Sequence, residues 1–383
     1  MQTNFKFLDR VRMNIYQLQK HRFIALKRSI RLFILALASA LLSVSVFAGC
    51  TQSSHQTQHV VRVTYYKFGS PAILRQLGYL DKRLAAEGYS VQWHEFAAGP
   101  QSLEALNAGS LDITWTAESP VIFAQAAGTP LVYIATTNPN PQTVVFLVPK
   151  GSPAKSIADL KGKKIALQKG SIAQYMLAKA LKEVGLQMSD IQPIYLPPAD
   201  ANIAFSQSRI DAWIIWEPFI SGAEQKGLGH VLRDGEGLID VGLFYSTSRT
   251  FAKEHPQVLK IYLEEMQKAE IWSKDHPQKW AELLSGETKL DVPTLERVYP
   301  RQKFGLLPIT HRVVVKQQQV ADMYYKLGLI PKRINIQEVI LSPEEYAAIT
   351  PSELTSKLHF ETKQKRVRDS TAILVKRQAI GIS

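Results

Sequence analysis

From Val60 onward, short apolar runs alternate with stretches whose apolar residues recur at helical spacing, and Gly, Ser and Pro mark the boundaries. Val60–Tyr65 is β-branched and aromatic, the composition of a strand. Gly69-Ser70-Pro71 then offers a capping hydroxyl and a proline for the first helical turn. Ile73, Leu77, Leu80 and Leu84 follow at helical spacing and predict one helix running to Gly88. A second strand, Val91–Phe96, leads through Gly99-Pro100-Gln101-Ser102 into a helix carried by Leu103, Leu106 and Ala108 and stopped by Gly109. Asp112–Trp115 predicts the third strand.

The same grammar returns in the second half. Ser156–Leu160 reads as a short capped turn and Lys163–Leu167 as a strand. Gly170-Ser171 opens a helix with Met176, Leu177, Ala180, Leu181 and Val184 on one face, closed by Gly185. Ile191–Leu196, Ala199–Gln207 and Ile210–Trp216 predict strand, helix and strand. Gly109-Ser110-Leu111-Asp112-Ile113-Thr114-Trp115 is echoed by Ser208-Arg209-Ile210-Asp211-Ala212-Trp213, each a helix end turning into a buried strand through an Asp. Strands alternating with helices argue for parallel sheets, and the repetition argues for two similar α/β lobes with a ligand cleft between them. Residues 60–140 and 241–340 are expected to form lobe 1, and 141–240 lobe 2. The chain crosses at Asn138-Pro139-Asn140-Pro141 and returns near Asp240–Tyr245. Helices at Pro256–Trp272 and Arg312–Leu327 are expected to pack back on lobe 1. Residues 352–383 are polar and basic without a clear period, which predicts a poorly ordered tail.

Upstream of this pattern the chain changes character. Eight Lys/Arg and one acid fill residues 1–31, and Leu32–Ala48 is then free of charge. A basic segment, a short apolar run and small residues predict an export signal over residues 1–49. The run lies at the short edge of the ~17–25 residues that a spanning helix needs. Phe47-Ala48-Gly49-Cys50 resembles a bacterial lipobox, although that pattern prefers Leu or Val where Phe47 stands. The likeness implies lipidation of Cys50 and a tether through residue 59. An uncleaved anchor serving a membrane-tethered sensor domain is the alternative.

Charge and cysteine content narrow the function classes. The net charge of +13 invites a nucleic-acid reading, but residues 1–31 and the tail carry most of it, leaving about +2 on residues 32–351. A nucleic-acid binder concentrates its excess on the folded face, so none is expected as a partner. Cys50 is the only cysteine, so no internal disulfide and no thiolate metal site can form. The chain contains no Gly-x-Ser-x-Gly elbow, no P-loop and no His-Glu-x-x-His. His55 and His59 fall in the tether and read as solvated. Neither a catalytic set, a metal nor a cofactor is expected.

Candidate binding chemistry sits at the helix starts. In open parallel sheets ligands lie beyond the carboxyl ends of strands, where helix N-termini point. Tyr66-Lys67-Phe68-Gly69-Ser70, Ala98-Gly99-Pro100-Gln101-Ser102 and Gln168-Lys169-Gly170-Ser171 are three such turns. Glycine permits close backbone approach, serine adds a hydroxyl, and the first-turn N–H groups favour an anion. Each turn taken singly also reads as an ordinary cap. Glu118-Ser119-Pro120 and Trp216-Glu217-Pro218 end a strand and begin a helix in either half. Trp115, Trp213 and Trp216 can clamp an organic moiety or pack in cores, and Glu118 and Glu217 can meet ligand or complement a helix dipole.

At these turns the chain resembles the aliphatic-sulfonate-binding proteins of ABC importers, a branch of the group that includes nitrate, taurine and thiamine-precursor binders. The likeness rests on Tyr66-Lys67 with Gly69, Ala98-Gly99-Pro100-Gln101, Ile122–Gly128, Asp159–Lys163, Gln168-Lys169-Gly170-Ser171, Pro198–Ala201, Asp211-Ala212-Trp213 with Ile215-Trp216, and Leu329-Ile330-Pro331-Lys332, over 60–340. It implies a type II periplasmic-binding fold that closes by hinge motion on a small anion, most simply an aliphatic sulfonate. It also implies a monomer in the periplasm that delivers its ligand to a permease and ATPase. It maps the family's anion pocket onto the Gly170-Ser171 helix start, Lys67-Gly69 and the Trp216 turn. Together with the helix starts read above, the expected ligand set is Lys67, Gly69, Ser70, Gln101, Glu118, Ser119, Gly170, Ser171, Trp216 and Glu217. The chain departs from the family with Ala117-Glu118 for the usual Gly-Asp, Glu217 for a common Asp, and Ile172-Ala173-Gln174 where hydroxyls and a His often stand. Thiamine-pyrimidine synthases, enzymes on the same fold, rely on a cysteine-rich motif that this chain lacks.

Overall fold

The computed structural model describes residues 59–357. The expected signal segment, Cys50, nearly all of the tether and the tail from residue 358 lie outside the described residues.

The chain begins with β1 (His59–Tyr65), α1 (Ser70–Leu77), α2 (Tyr79–Ala85), β2 (Tyr89–Glu95), α3 (Gly99–Asn107), β3 (Ile113–Thr116), α4 (Glu118–Ala126) and β4 (Leu131–Thr137). It crosses into β5 (Val144–Pro149), β6 (Lys164–Leu167), α5 (Ile172–Glu183), β7 (Gln192–Tyr195), α6 (Pro198–Ser206), β8 (Ala212–Trp216), α7 (Phe219–Gln225) and β9 (Gly229–Asp234). It then returns as β10 (Phe244–Ser248), α8 (Arg249–Glu254), α9 (Pro256–Asp275), α10 (Pro277–Thr288), α11 (Val292–Val298), β11 (Leu306–Leu307), α12 (His311–Lys326) and α13 (Pro343–Ile349).

Two sheets result. One has the order β11-β4-β10-β3-β1-β2 and the other β7-β6-β8-β5-β9. In the first, β1 pairs in parallel with β2 and β3, and β10 joins antiparallel between β3 and β4. The second repeats the plan, with β6 parallel to β7 and β8, and β5 antiparallel between β8 and β9. The repeated Asp phrase therefore occupies equivalent places, at the entries of β3 and β8. Each Asp pins the register of its neighbour strand. Asp112 accepts from the Arg62 N–H at 2.7 Å and Asp211 from the Lys164 N–H at 2.8 Å.

The adjacent strands β5 and β8 of the second sheet are apolar at every position because both faces are covered. Val144, Phe146 and Val148 pack with Met176, Leu177 and Leu181 of α5, while Val145 and Leu147 pack with Phe205, Trp213 and Ile220 on the other face. On the first sheet, α9 covers one face through Leu259, Tyr262, Leu263 and Met266. The other face is covered by α4 and by α12, which contributes Val320 and Tyr324.

Two expectations are corrected. The predicted helix through Ile73 and Leu84 is two helices, because Gly78 takes φ 64° and its N–H closes onto the carbonyls of Leu74 and Arg75. Leu74 on one side of this break and Leu80 on the other still reach the same core. The tail does not begin at Ser352. Residues 352–357 are helical, Leu354 is fully buried, and the Lys357 ammonium donates to the Leu306 carbonyl at 2.9 Å.

Candidate functional site

A cleft of about 570 Å3 opens between the sheets. Its lining gathers residues just beyond the carboxyl ends of β1, β2, β3 and β8, namely Tyr66, Phe96, Ala117 and Glu217. This is where an α/β sheet presents its helix starts. The first residues of α1, α3 and α5 all reach it, as Ser70, Gly99 and Ile172. Of the residues expected to bind ligand, Lys67, Gly69, Ser70, Ser171, Trp216 and Glu217 line the cleft, and Gln101, Glu118, Ser119 and Gly170 do not.

Gly69 is required by its surroundings. Its φ of 101° suits glycine, and a Cβ there would stand 2.7 Å from Cη2 of Trp115. The start of α1 thus rests on the Trp115 indole, which also lines the cleft. Trp115 stacks against Tyr245 at 6.3 Å, and its Nε1 is buried without a hydrogen-bond partner. Its sequence echo Trp213 is 1% exposed within the core of the second sheet. One member of the pair faces the cleft and the other is packing.

The hydroxyls are largely spoken for. Ser171 caps α5, donating to the Gln168 carbonyl at 2.7 Å and accepting from the Ala173 N–H at 3.2 Å. The Gly170 N–H is taken by the side chain of Gln174 at 2.8 Å, so Gly170 faces inward rather than toward the cleft. Ser102 is buried beneath the start of α3, where it accepts from Thr114 and donates to the Gly99 carbonyl. Gln101 is half-buried outside the cleft lining, and its Oε1 is without a partner. The Ser70 hydroxyl bonds to Glu270, a carboxyl of α9 that lines the cleft and accepts from the Gly305 N–H at 2.9 Å. Burial pushes the Glu270 carboxyl above the usual range, with those two hydrogen bonds acting against it.

Two of the charged groups at the cleft, Lys67 and Glu217, are paired. The Lys67 ammonium lies 3.3 Å from Glu95, and with both side chains about half exposed the pair is screened by solvent. Glu217 is nearly inaccessible, accepts from the Ser221 hydroxyl and N–H, and meets Arg301 at 3.4 Å. Desolvation raises its pKa, opposed by Ser221 and Arg301.

Glu118 and Ser119 are corrected from ligand contacts to interior groups. Glu118 is fully buried and accepts from the Ser119 hydroxyl, which in turn accepts from Tyr324 at 2.7 Å. The side chain of Gln317 holds the Glu118 carbonyl at 2.7 Å. Helix α12 covers this turn, which nothing in the local sequence around residue 118 could indicate.

Sequence reasoning also missed Phe96, Phe219, Glu270, Trp280 and Phe304, all of which line the cleft. Three of these arrive from residues 270–304, far along the chain from the helix-start turns and without a motif of their own. Among the described residues no group of three or more His, Cys, Asp or Glu is placed to hold a metal ion. None of their helices is long and apolar enough to cross a membrane.

The profile of the NMT1/THI5-like family matches residues 76–280. A putative aliphatic sulfonates-binding protein of Escherichia coli (strain K12) is 39% identical over 312 residues, covering 81% of this chain and 96% of that protein. The alkanesulfonate-binding protein of Xanthomonas axonopodis pv. citri, solved bound to MOPS, superposes with a TM-score of 0.71 at 35% identity over 74% of this chain and 98% of that one. The periplasmic aliphatic sulphonate binding protein of Escherichia coli gives 0.68 at 38% identity, over 74% and 92%. The two sheets flanked by helices are thus the periplasmic-binding-protein fold. With a family profile spanning more than half of it and these relatives matching nearly end to end, the chain belongs to the NMT1/THI5-like family, on its aliphatic-sulfonate-binding branch.

Proposed function

We propose that this protein is the extracytoplasmic solute-binding component of an ABC importer, capturing a small organic sulfonate for delivery to the membrane permease. The observation that carries this reading is the meeting of three helix starts, α1, α3 and α5, at one cleft with aromatic walls. Magnitudes favour the helix starts over Lys67 as the anion's main partners. An exposed ion pair is worth ~0–1 kcal/mol, whereas a partly buried helix N-terminus contributes up to ~2 kcal/mol. The sulfonate-binding names of the relatives support the ligand class. The reading is binding rather than catalysis, since the named relatives are binding proteins and nothing in the sequence singles out a catalytic set.

Export through residues 1–49 and a lipid on Cys50 would hold this trap near its permease. Calorimetry of the mature chain against ethanesulfonate, taurine and nitrate tests the ligand. Binding of a sulfonate at roughly micromolar Kd is expected (about −8 kcal/mol), with the ligand recovered unchanged by mass spectrometry. No heat with any sulfonate would overturn the assignment. For the anchor, intact-mass analysis of membrane-extracted protein is expected to show a lipidated N-terminus at Cys50, and Cys50→Ala to release the protein from the membrane fraction.

A further inference from the structure

The cleft is far larger than a short sulfonate requires. Its volume, open to solvent between the sheets, is about 570 Å3. It falls among the sites of ~300–1,000 Å3 that enclose drug-sized ligands. Its walls match that size in chemistry. Tyr66, Phe96 and Phe304 approach from the side of the first sheet, and Trp216 and Phe219 from the second, all five rings half-buried and lining the cleft. Behind them Trp280 fixes Phe68 edge-on at 5.6 Å and Phe304 at 6.3 Å, so part of this wall is held by packing. Rings presented from both sides favour a flat, rigid, apolar body, because aromatic pairs gain from stacked and edge-on contact. A long flexible alkyl chain of equal bulk loses more rotational freedom on confinement.

We infer that the preferred ligand is an arylsulfonate, its anionic group at the helix starts and its ring held between aromatic side chains of both lobes. This deepens the sulfonate-binding reading and rests on it.

The test is calorimetry on the mature chain with ethanesulfonate, cyclohexanesulfonate and benzenesulfonate, using wild type, Phe219→Ala and Phe304→Ala, each variant first checked for a cooperative melt. Benzenesulfonate is expected to bind at least about tenfold more tightly than ethanesulfonate, as added apolar contact in a pocket is worth ~10-fold or more. It is also expected to exceed cyclohexanesulfonate by about threefold, the share due to ring–ring contact. Both variants should weaken benzenesulfonate more than ethanesulfonate. Ethanesulfonate binding as tightly as benzenesulfonate overturns the size argument while leaving the sulfonate reading intact. Equal affinity for the two six-membered rings, or equal losses for all ligands in the variants, overturns the aromatic part. If no sulfonate binds while nitrate or a thiamine-precursor pyrimidine does, the underlying reading falls as well.

Discussion

The carboxyl of Glu118 has no solvent exposure, accepts one hydrogen bond from Ser119, and leaves its Oε2 without a partner. Desolvation pushes its pKa up to about 7, outweighing the hydrogen bonds that pull it down. The folded chain therefore holds a proton that the unfolded chain releases near the ordinary carboxylate value. Its stabilising effect is complete below about pH 4.5 and is lost as pH rises through about 7, a swing of about 3 kcal/mol. Glu118→Gln is expected to abolish this part of the pH dependence, read from denaturant midpoints between pH 4.5 and 8. A slope unchanged by the substitution would show that the carboxyl is ionised when folded. Sequence alone placed Glu118 at a helix start, correctly, since Glu118 begins α4. That this start is roofed by Gln317 and Tyr324 is a contact over about 200 residues, and no local pattern encodes it.

At the scale of elements, the β1–α1 turn shows how a backbone shape serves the cleft. Gly69 lets α1 begin directly over the Trp115 indole, and a side chain there meets both a φ of 101° and the ring. Gly69→Ala is expected to destabilise the fold by about 1–3 kcal/mol and to weaken ligand binding by tenfold or more. Thermal melts and calorimetry would check this, and an unchanged affinity would remove the α1 start from the site. The turn itself was legible, because Gly-Ser-Pro is local chemistry. The double coverage of β5 was not, since a continuous apolar run fits a buried strand or a buried helix equally well. The division of one helix at Gly78 was likewise hidden, because Leu77 and Leu80 keep a helical spacing across the break.

For the molecule as a whole, the relation between the sheets bears on closure. The chain crosses between them twice, and α11 adds a further link by packing against both α10 and α7. Just after α11, Arg301 meets the buried Glu217 at the end of β8. Arg301 is about one-third exposed, so the pair is discounted for screening to about 1 kcal/mol. Removing the arginine would also leave Glu217 with Ser221 alone. Arg301→Ala is expected to weaken ligand affinity by about five- to tenfold, with Arg301→Lys keeping most of it. Because Glu217 would then ionise less readily, the affinity of Arg301→Ala should depend more steeply on pH than that of wild type. Calorimetry at pH 6 and 8 reads both effects, and identical affinities in wild type and variant would exclude a role for the pair in closure.

By itself the sequence determined the alternating strands and helices of each half and their repetition, because apolar spacing, caps and turn residues act over a few positions. It also marked the three helix starts that border the cleft, since Gly-Ser turns are local chemistry. The tertiary structure decided which of those groups remain free to meet a ligand. Ser171 is consumed by its own cap and Glu118 by burial, whereas Lys67 keeps only an exposed, screened pair with Glu95. It also decided that Glu270, Trp280 and Phe304 complete the wall. Burial and pairing are set by residues tens to hundreds of positions away, which come together only when two sheets and their covering helices pack.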